Sequence, residues 1–422
     1  MGRLRPTFVS QEVFSPGCIE IVVSGSLGGE RWDIGLDWSI ARRLRDADDP
    51  LGWNADGVPR ARIWIQYERI GDVDIPSLMR GLAKLLWEHR EASEADVVQD
   101  VIKAMRKNRI RMPRILEEAL STLLRLFDRE ERRPVIAVRH EHEHEWFPWE
   151  FLPMRLPDNT FSMLGMEFPI SRQRFSVVNP DESQNMDDRV HPSPASKQGL
   201  HVALVGQAAV KDPPPPCIAE LKEALQGTAV TCLAKAPFTE NEDSGDCFCW
   251  YVMIEDIEEL ESGFELSKVD LADGFIRKAL NEKLVIMAAC EAALPVLAKQ
   301  EARVVTTLTR RRIDTKVELQ ESAQRHGLAE GLFLAGSNCV VAPLCKLTLE
   351  AACSYVSSLI TQILVDYMPV EIIVHRLRRI SGHFGVPGFA FVCYGSYHRS
   401  DTCSGILDCP RVSVVAGDHG VL

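Results

Sequence analysis

Lys283-Leu-Val-Ile-Met-Ala-Ala-Cys290 is the stretch on which the reading of this chain turns. Apolar residues run unbroken from Leu284 to Ala289, with a lysine before them and Glu291 directly after the cysteine. A run this short, bounded by charge, predicts a strand buried on both faces, the kind that occupies the centre of a parallel sheet. Open α/β sheets collect their chemistry in the crevice beyond the carboxyl ends of the strands. Cys290 is therefore predicted to stand where an α/β enzyme carries a nucleophile.

Moving outward, strands and helices alternate. Upstream lie predicted strands at Leu200–Val205, Val230–Leu233 and Cys247–Ile254, an amphipathic helix through Leu221 and Leu225, and a helix from Val269 to Leu280. Downstream, past a long charged stretch, come a helix over Gly327–Ala335, the strand Cys339–Pro343, helices over Thr348–Val365 and Val370–Ile380, and a last strand at Phe389–Tyr394. Such alternation requires crossover connections and so a mostly parallel sheet. Nearer the start, Cys18–Val23 and Ala61–Tyr67 read as strands, with Gly25–Gly29 as a hairpin turn. Between Ile75 and Phe127 the pattern turns helical, with Leu78, Leu82, Leu85 and Leu86 on one face and Leu116, Leu120 and Leu123 repeating the spacing. Pro134–Val138 returns to strand and continues toward His140 and the Phe147–Leu152 segment. Asn179–Gln198 is polar and aperiodic, a loop.

Composition bounds the partners. The 422 residues are 45% hydrophobic, enough for one large core or two moderate ones. A formal net charge of −12 argues against nucleic acid or an anionic membrane as the main partner. No apolar stretch approaches the roughly 20 residues of a membrane span, and Met-Gly-Arg-Leu-Arg-Pro has no apolar core behind its charges. The 12 cysteines are scattered, many within apolar runs, which predicts reduced core thiols in a soluble cytoplasmic protein. No cofactor is implied.

Three local patterns, in this order, resemble the CHAT family, a caspase-like domain related to separases. Phe147-Pro-Trp-Glu-Phe-Leu152, followed by Leu164-Gly165 and Ser171-Arg172, is similar to that family's Pro-Trp-Glu block. Ala288-Ala-Cys-Glu-Ala292 is similar to its Ala-Cys-Glu strand end. Gly327 to Gly336 with Val340-Val-Ala-Pro343 resembles the helix and strand that follow, and Phe389–Gly395 the closing strand. The resemblance covers about Pro134 to His398. It implies an α/β fold, a caspase-like three-layer sandwich around a mostly parallel central sheet, preceded by an α+β N-terminal region. The implied division is an N-terminal region over 1–133, a CHAT unit over 134–398 and a tail over 399–422. The implied chemistry is a Cys-His dyad in which a thiolate attacks a peptide carbonyl. Cys290 maps onto the nucleophile, with Glu291 and the loop around Arg310 and Arg312 as substrate-pocket walls.

The departure is at the base. The family's histidine should close the preceding strand as a His-Gly pair, yet no histidine occurs between His201 and Cys290. The strand Cys247–Ile254 ends instead in Glu255-Asp256. A thiol needs a cationic or proton-accepting neighbour to become a thiolate near neutral pH, whereas carboxylates raise its pKa. His326-Gly327 is a His-Gly pair but follows the cysteine, and is the substitute candidate for the base. His201 opens a strand and reads as a core or edge histidine. His140, His142 and His144 alternate with glutamates and read as a charged edge strand rather than a zinc site, since three ligands on one strand rarely close a tetrahedron. The pair Cys247 and Cys249, and the tail residues His398, Cys403 and Cys409, have no metal-site spacing.

Two functions follow as expectations. One is a regulatory or binding module that keeps the peptidase fold while weak or inactive as a protease, its partner a regulatory protein or a sensor. The other is an active cysteine endopeptidase cleaving a protein substrate in a stress or defence response.

Overall fold

A computed structural model of the chain describes residues 18–24, 31–39, 62–68, 75–89, 92–126, 133–140, 147–173, 201–225, 229–233, 249–252, 284–288, 293, 328–335, 337–366, 368–380 and 387–396. Strands β1 (Cys18–Ser24), β2 (Arg31–Ser39) and β3 (Arg62–Glu68) come first. Helices α1 (Ile75–Glu88), α2 (Glu94–Lys107) and α3 (Arg114–Leu126) follow, then β4 (Val135–His140). A 3-10 turn at Trp149–Phe151 leads to β5 (Pro153–Arg155), β6 (Phe161–Met163), α4 (Leu164–Glu167) and β7 (Ile170–Arg172). The second half holds β8 (His201–Val205), α5 (Gln207–Val210), α6 (Pro216–Ala224), β9 (Ala229–Leu233), β10 (Cys249–Val252) and β11 (Leu284–Met287). It closes with α7 (Leu328–Ala335), β12 (Cys339–Pro343), α8 (Leu349–Asp366), α9 (Val370–Arg379), α10 (Pro387–Ala390) and β13 (Phe391–Gly395).

Among the described residues, 11 strands form one sheet in the order β3-β2-β1-β4-β7-β13-β12-β11-β10-β8-β9, and β5 pairs with β6 apart from it. The five strands β12, β11, β10, β8 and β9 are all mutually parallel. The chain is thus a mixed α/β protein with a mostly parallel five-stranded centre, as the alternation of elements predicts. Strand order reverses between β8 and β10, the topological switch point of a doubly wound sheet. β13 lies antiparallel on β12, while β7, β4 and β1 run parallel to β13. Apart from β2, which runs antiparallel to both of its neighbours, the sheet therefore consists of two blocks pointing opposite ways, meeting between β12 and β13.

Sequence explains the central strands directly. Every residue of β11, β12 and β13 is buried, so each presents apolar side chains to both faces. The helical stretch after Ile75 is three helices rather than one. Ser93 caps α2, its hydroxyl accepting from the Asp96 backbone N–H at 3.3 Å. Pro113, which cannot continue a preceding helix, stands directly before α3. The apolar faces of all three are buried through Leu82, Leu86, Val101, Met105, Leu116 and Leu120. β2 was not foreseen, although Trp32, Ile34, Leu36 and Trp38 alternate with polar or small residues. Within Phe147–Leu152, Trp149–Phe151 form the 3-10 turn. The glycine-rich Gly25–Gly29 lies outside the described residues, but the strands on either side pair antiparallel. No helix among the described residues is long and apolar enough to cross a membrane.

Gly395, at the end of β13, adopts φ +73°, the left-handed region that disfavours side chains. A Cβ there would stand 2.0 Å from the Asn338 carbonyl oxygen and 2.6 Å from the Phe333 ring. Gly395→Ala is expected to destabilise the protein by about 3 kcal/mol or more, read as a lowered urea midpoint at unchanged m-value.

Candidate functional site

The strand that leads to Cys290 is in place. β11 runs Leu284–Met287 between β10 and β12, and Ala288 beyond it is 7% exposed. On the far side of the cysteine, the buried Ala293 donates its N–H to the Pro343 carbonyl at the carboxyl end of β12, at 3.0 Å. Cys290 and Glu291 themselves lie outside the described residues, as do Arg310, Arg312 and His326. His142, His144, Cys247, His398, Cys403 and Cys409 do too. His140 ends β4 and His201 begins β8.

β10 is the immediate parallel neighbour of β11, with Cys249 paired to Leu284 and Val252 to Met287. The strand expected to bear the base is thus adjacent and level with the strand that precedes Cys290.

Beside this edge lies a buried polar cluster. Arg378 is 2% exposed and donates from Nη1 to the Gly165 carbonyl at 2.9 Å and from Nη2 to the Phe391 carbonyl at 2.8 Å. Phe391 pairs with Pro343 across β13 and β12, and Leu344 N–H donates to Ala390 O at 2.8 Å. A run of backbone and guanidinium bonds therefore leads from Gly165 through Arg378 and β13 to Pro343, which also holds Ala293. His375, one helical turn before Arg378, is 1% exposed and lies 3.1 Å from the same Gly165 oxygen through Nδ1. A carbonyl only accepts, so Nδ1 carries the proton in that bond. Gly165 leaves the room this needs: a Cβ there would lie 2.6 Å from Arg378 Nη1 and 2.9 Å from the Glu150 carbonyl.

Further along the sheet, Arg172 of β7 forms a two-pronged ion pair with Glu150 of the Pro-Trp-Glu block. Nε donates to Oε1 at 3.1 Å and Nη2 to Oε2. Ser171 Oγ donates to Gly395 O at 2.5 Å, tying β7 to the end of β13. The Arg172 guanidinium also lies 5.7 Å from the centre of the Tyr394 ring. Ser396 Oγ donates to Glu371 Oε1 at 2.6 Å, and Glu371 is 5% exposed.

Burial and charge set the protonation states. Burial pushes Arg172 down, but Glu150 and the Tyr394 hydroxyl outweigh it, so its pKa ends above the ordinary value. Burial lowers that of Arg378, with Glu150 acting against it. Burial, then the charge of Arg378, holds the His375 pKa well below the ordinary imidazole range, so the ring is neutral. Burial pushes the Tyr355 hydroxyl upward, and its ring stacks on Phe391 at 4.0 Å. This arrangement fixes chain geometry; among the described residues it brings no nucleophile to a base.

Sequence reading singled out Glu150 and Arg172 as parts of motifs, but not His375, Arg378 or Glu371. Those three sit at i, i+4 and i+7 of α9, a spacing that marks one helix face. Their charge reads as solvent-facing, although the segment's unusually apolar flanks, Ile372-Ile373-Val374, hint that no face is free.

No family model matches the chain, nor does any curated protein sequence. Among solved structures the chain is similar to two crystal structures of the Saccharomyces cerevisiae separase–securin complex. With the one at 2.6 Å resolution it shares 12% identity over 63% of this chain and 16% of that one, TM-score 0.39. With the one at 3.0 Å the values are 10% identity, 90% of this chain, 30% of that one and TM-score 0.48. The chain thus spans less than a third of the length of either.

Two outcomes follow from the cluster. Glu150→Leu strands the Arg172 guanidinium without its carboxylate and is expected to cost about 3–5 kcal/mol in urea unfolding. His375, with a folded pKa below its unfolded value of about 6.5, binds its proton only on unfolding. Its contribution is unchanged above that value and turns against the fold as pH falls below it, by up to about 1.4 kcal/mol per pH unit. His375→Gln should flatten the stability curve between about pH 5 and 6.5, measured by urea unfolding at a series of pH values.

Proposed function

We propose that residues 134–398 form a caspase-like unit of CHAT type, built in three layers, which keeps the nucleophile position at Cys290 but has lost the dyad histidine. It acts on this reading as a regulatory or binding module for a protein partner. The N-terminal region 1–133 adds its strands to the same sheet, and 399–422 is a tail.

Several features support the reading. The Pro-Trp-Glu, Ala-Cys-Glu and Gly327–Pro343 patterns follow one another in the order of the resemblance. α6 connects β8 to β9, and α7 precedes β12 on the other side of the switch point. Crossovers in opposite directions along the sheet, with the usual right-handed sense, favour helices on opposite faces, which supports the three-layer reading. Cys290 follows the last residue of β11, Met287, by three positions in the sequence.

One observation carries the loss of activity. β10 pairs with β11 as far as Val252↔Met287, and the sequence after β10 offers Glu255-Asp256 where the family's His-Gly pair belongs. Burial and a carboxylate together raise a thiol's pKa. Removing the base from a nucleophile–base pair lowers the rate by several orders of magnitude.

The intact Ala-Cys-Glu strand end favours the second reading, an active cysteine endopeptidase with His326 as base and Glu291, Arg310 and Arg312 as pocket walls. Iodoacetamide alkylation of the full chain against pH, with Cys290 resolved by peptide mass spectrometry, separates the two. The inactive module gives slow labelling with a midpoint above the free-thiol value of about 8.5. A midpoint well below it, abolished in His326→Ala, establishes the peptidase instead.

A further inference from the structure

From Lys103 to Arg114 the chain carries six basic residues, Lys103, Arg106, Lys107, Arg109, Arg111 and Arg114, and no acidic one. All six are exposed. Of the chain's 48 basic residues these leave 42 against 60 acidic ones, so the rest of the protein carries −18. The patch is a local reversal of sign on an acidic molecule.

Ordinary helix electrostatics account for only part of it. Cations in the last turn of α2, Arg106 and Lys107, complement the negative end of the helix dipole. Arg109 and Arg111 lie beyond that helix. Arg114 opens α3, where a positive charge opposes the dipole, offset by Glu117 in the same turn and by an exposed pair with Glu118 at 2.7 Å. No ion pair joins Lys103, Lys107, Arg109 or Arg111 to another described residue.

The backbone supplies an independent observation. α2 ends in a Schellman motif: Ile110 N–H donates to Met105 O and Arg109 N–H to Arg106 O, both at 2.9 Å. The motif places the residue after the cap in the left-handed region, and Arg109 sits there at φ 59°. Glycine or asparagine normally fills this position because a side chain is sterically penalised there. A strained arginine at the apex of the loop indicates that its charge serves something other than the fold. Next to it, Arg106 lies 4.9 Å above the ring of Phe161, which is 37% exposed and one of three large exposed apolar side chains among the described residues.

We propose that the α2–α3 corner, Lys103 to Arg114 with Phe161, is a docking surface for a short acidic segment of a partner protein that carries an apolar residue among its acids. The charge distribution selects this partner over extended polyanions. The patch is one helical turn and one loop, roughly 15 Å across, or about two Debye lengths at physiological salt, where one is about 8 Å. A short peptide meets only the positive patch, whereas a nucleic-acid duplex or anionic bilayer extends beyond it along a molecule whose remaining charge is net −18 and is disfavoured.

The test uses the full-length protein and a fluorescein-labelled peptide of six Asp/Glu residues around one leucine, followed by anisotropy at low and physiological salt. The proposal expects saturable binding that weakens with salt and falls at least tenfold in Lys107→Glu/Arg111→Glu with Arg109→Glu, circular dichroism showing the triple variant folded. Arg109→Gly relieves the strained turn and should raise Tm by about 2 °C while weakening the peptide roughly two- to fivefold; a merely structural arginine would not show this trade. Affinity unchanged by charge reversal or by Arg109→Gly overturns the proposal. So does tighter binding of duplex DNA or phosphatidylserine vesicles than of the peptide.

Discussion

The buried guanidinium of Arg378 is shared between two carbonyl oxygens that belong to different parts of the chain, Gly165 before β7 and Phe391 at the start of β13. A buried arginine left without acceptors costs several kcal/mol, so the two parts cannot separate without exposing it. β13 is the strand at which the two oppositely directed blocks of the sheet join, antiparallel to β12 and parallel to β7. Parallel pairing there is limited to Tyr394 against Arg172. With so little ladder between β13 and β7, the seam between those two strands depends on side chains, and Arg378, Ser171 and the Arg172–Glu150 pair supply them. Gly165 is required because any side chain would occupy the space of the guanidinium.

How legible this was follows from what each element has to satisfy. β8, β11 and β12 are short apolar runs because both faces are covered, and that pattern appears in the sequence with little ambiguity. α1 to α3 were legible as apolar stripes, but not as three bodies, because the break between α2 and α3 lies in a left-handed arginine where glycine would have signalled it. β2 carries a legible strand pattern too, since its tryptophans and aliphatic residues alternate with polar or small ones. Glu371, His375 and Arg378 were illegible for a stronger reason. Charge on one helix face ordinarily means water, and only the tertiary pairing of β7 with β13 brings carbonyl and hydroxyl partners that make burial tolerable. Of the candidate site, the strand and its neighbour were readable from sequence, whereas the pairing that makes β10 the partner of β11 was not, since register depends on chain segments far apart.

The direction of the two blocks decides which features share an edge. β11 and β12 end where β13 and β7 begin, because the blocks run oppositely and Pro343 pairs with Phe391. Gly165, Phe391, Pro343 and Ala293 therefore gather at the one edge where β11 and β12 end. Arg172, Ser171 and Gly395 close the opposite end of the same seam. The Pro-Trp-Glu block thus serves the seam through Glu150 at one end and through the chain it passes on to Gly165 at the other. A protein that needed only a stable sheet would be expected to fill this seam with apolar side chains, since such replacements are often neutral or stabilising. Retaining a charged seam beside the carboxyl ends of β11 and β12 fixes the relative placement of the N-terminal strands and β11 through directional bonds, which apolar packing of similar volume does not specify.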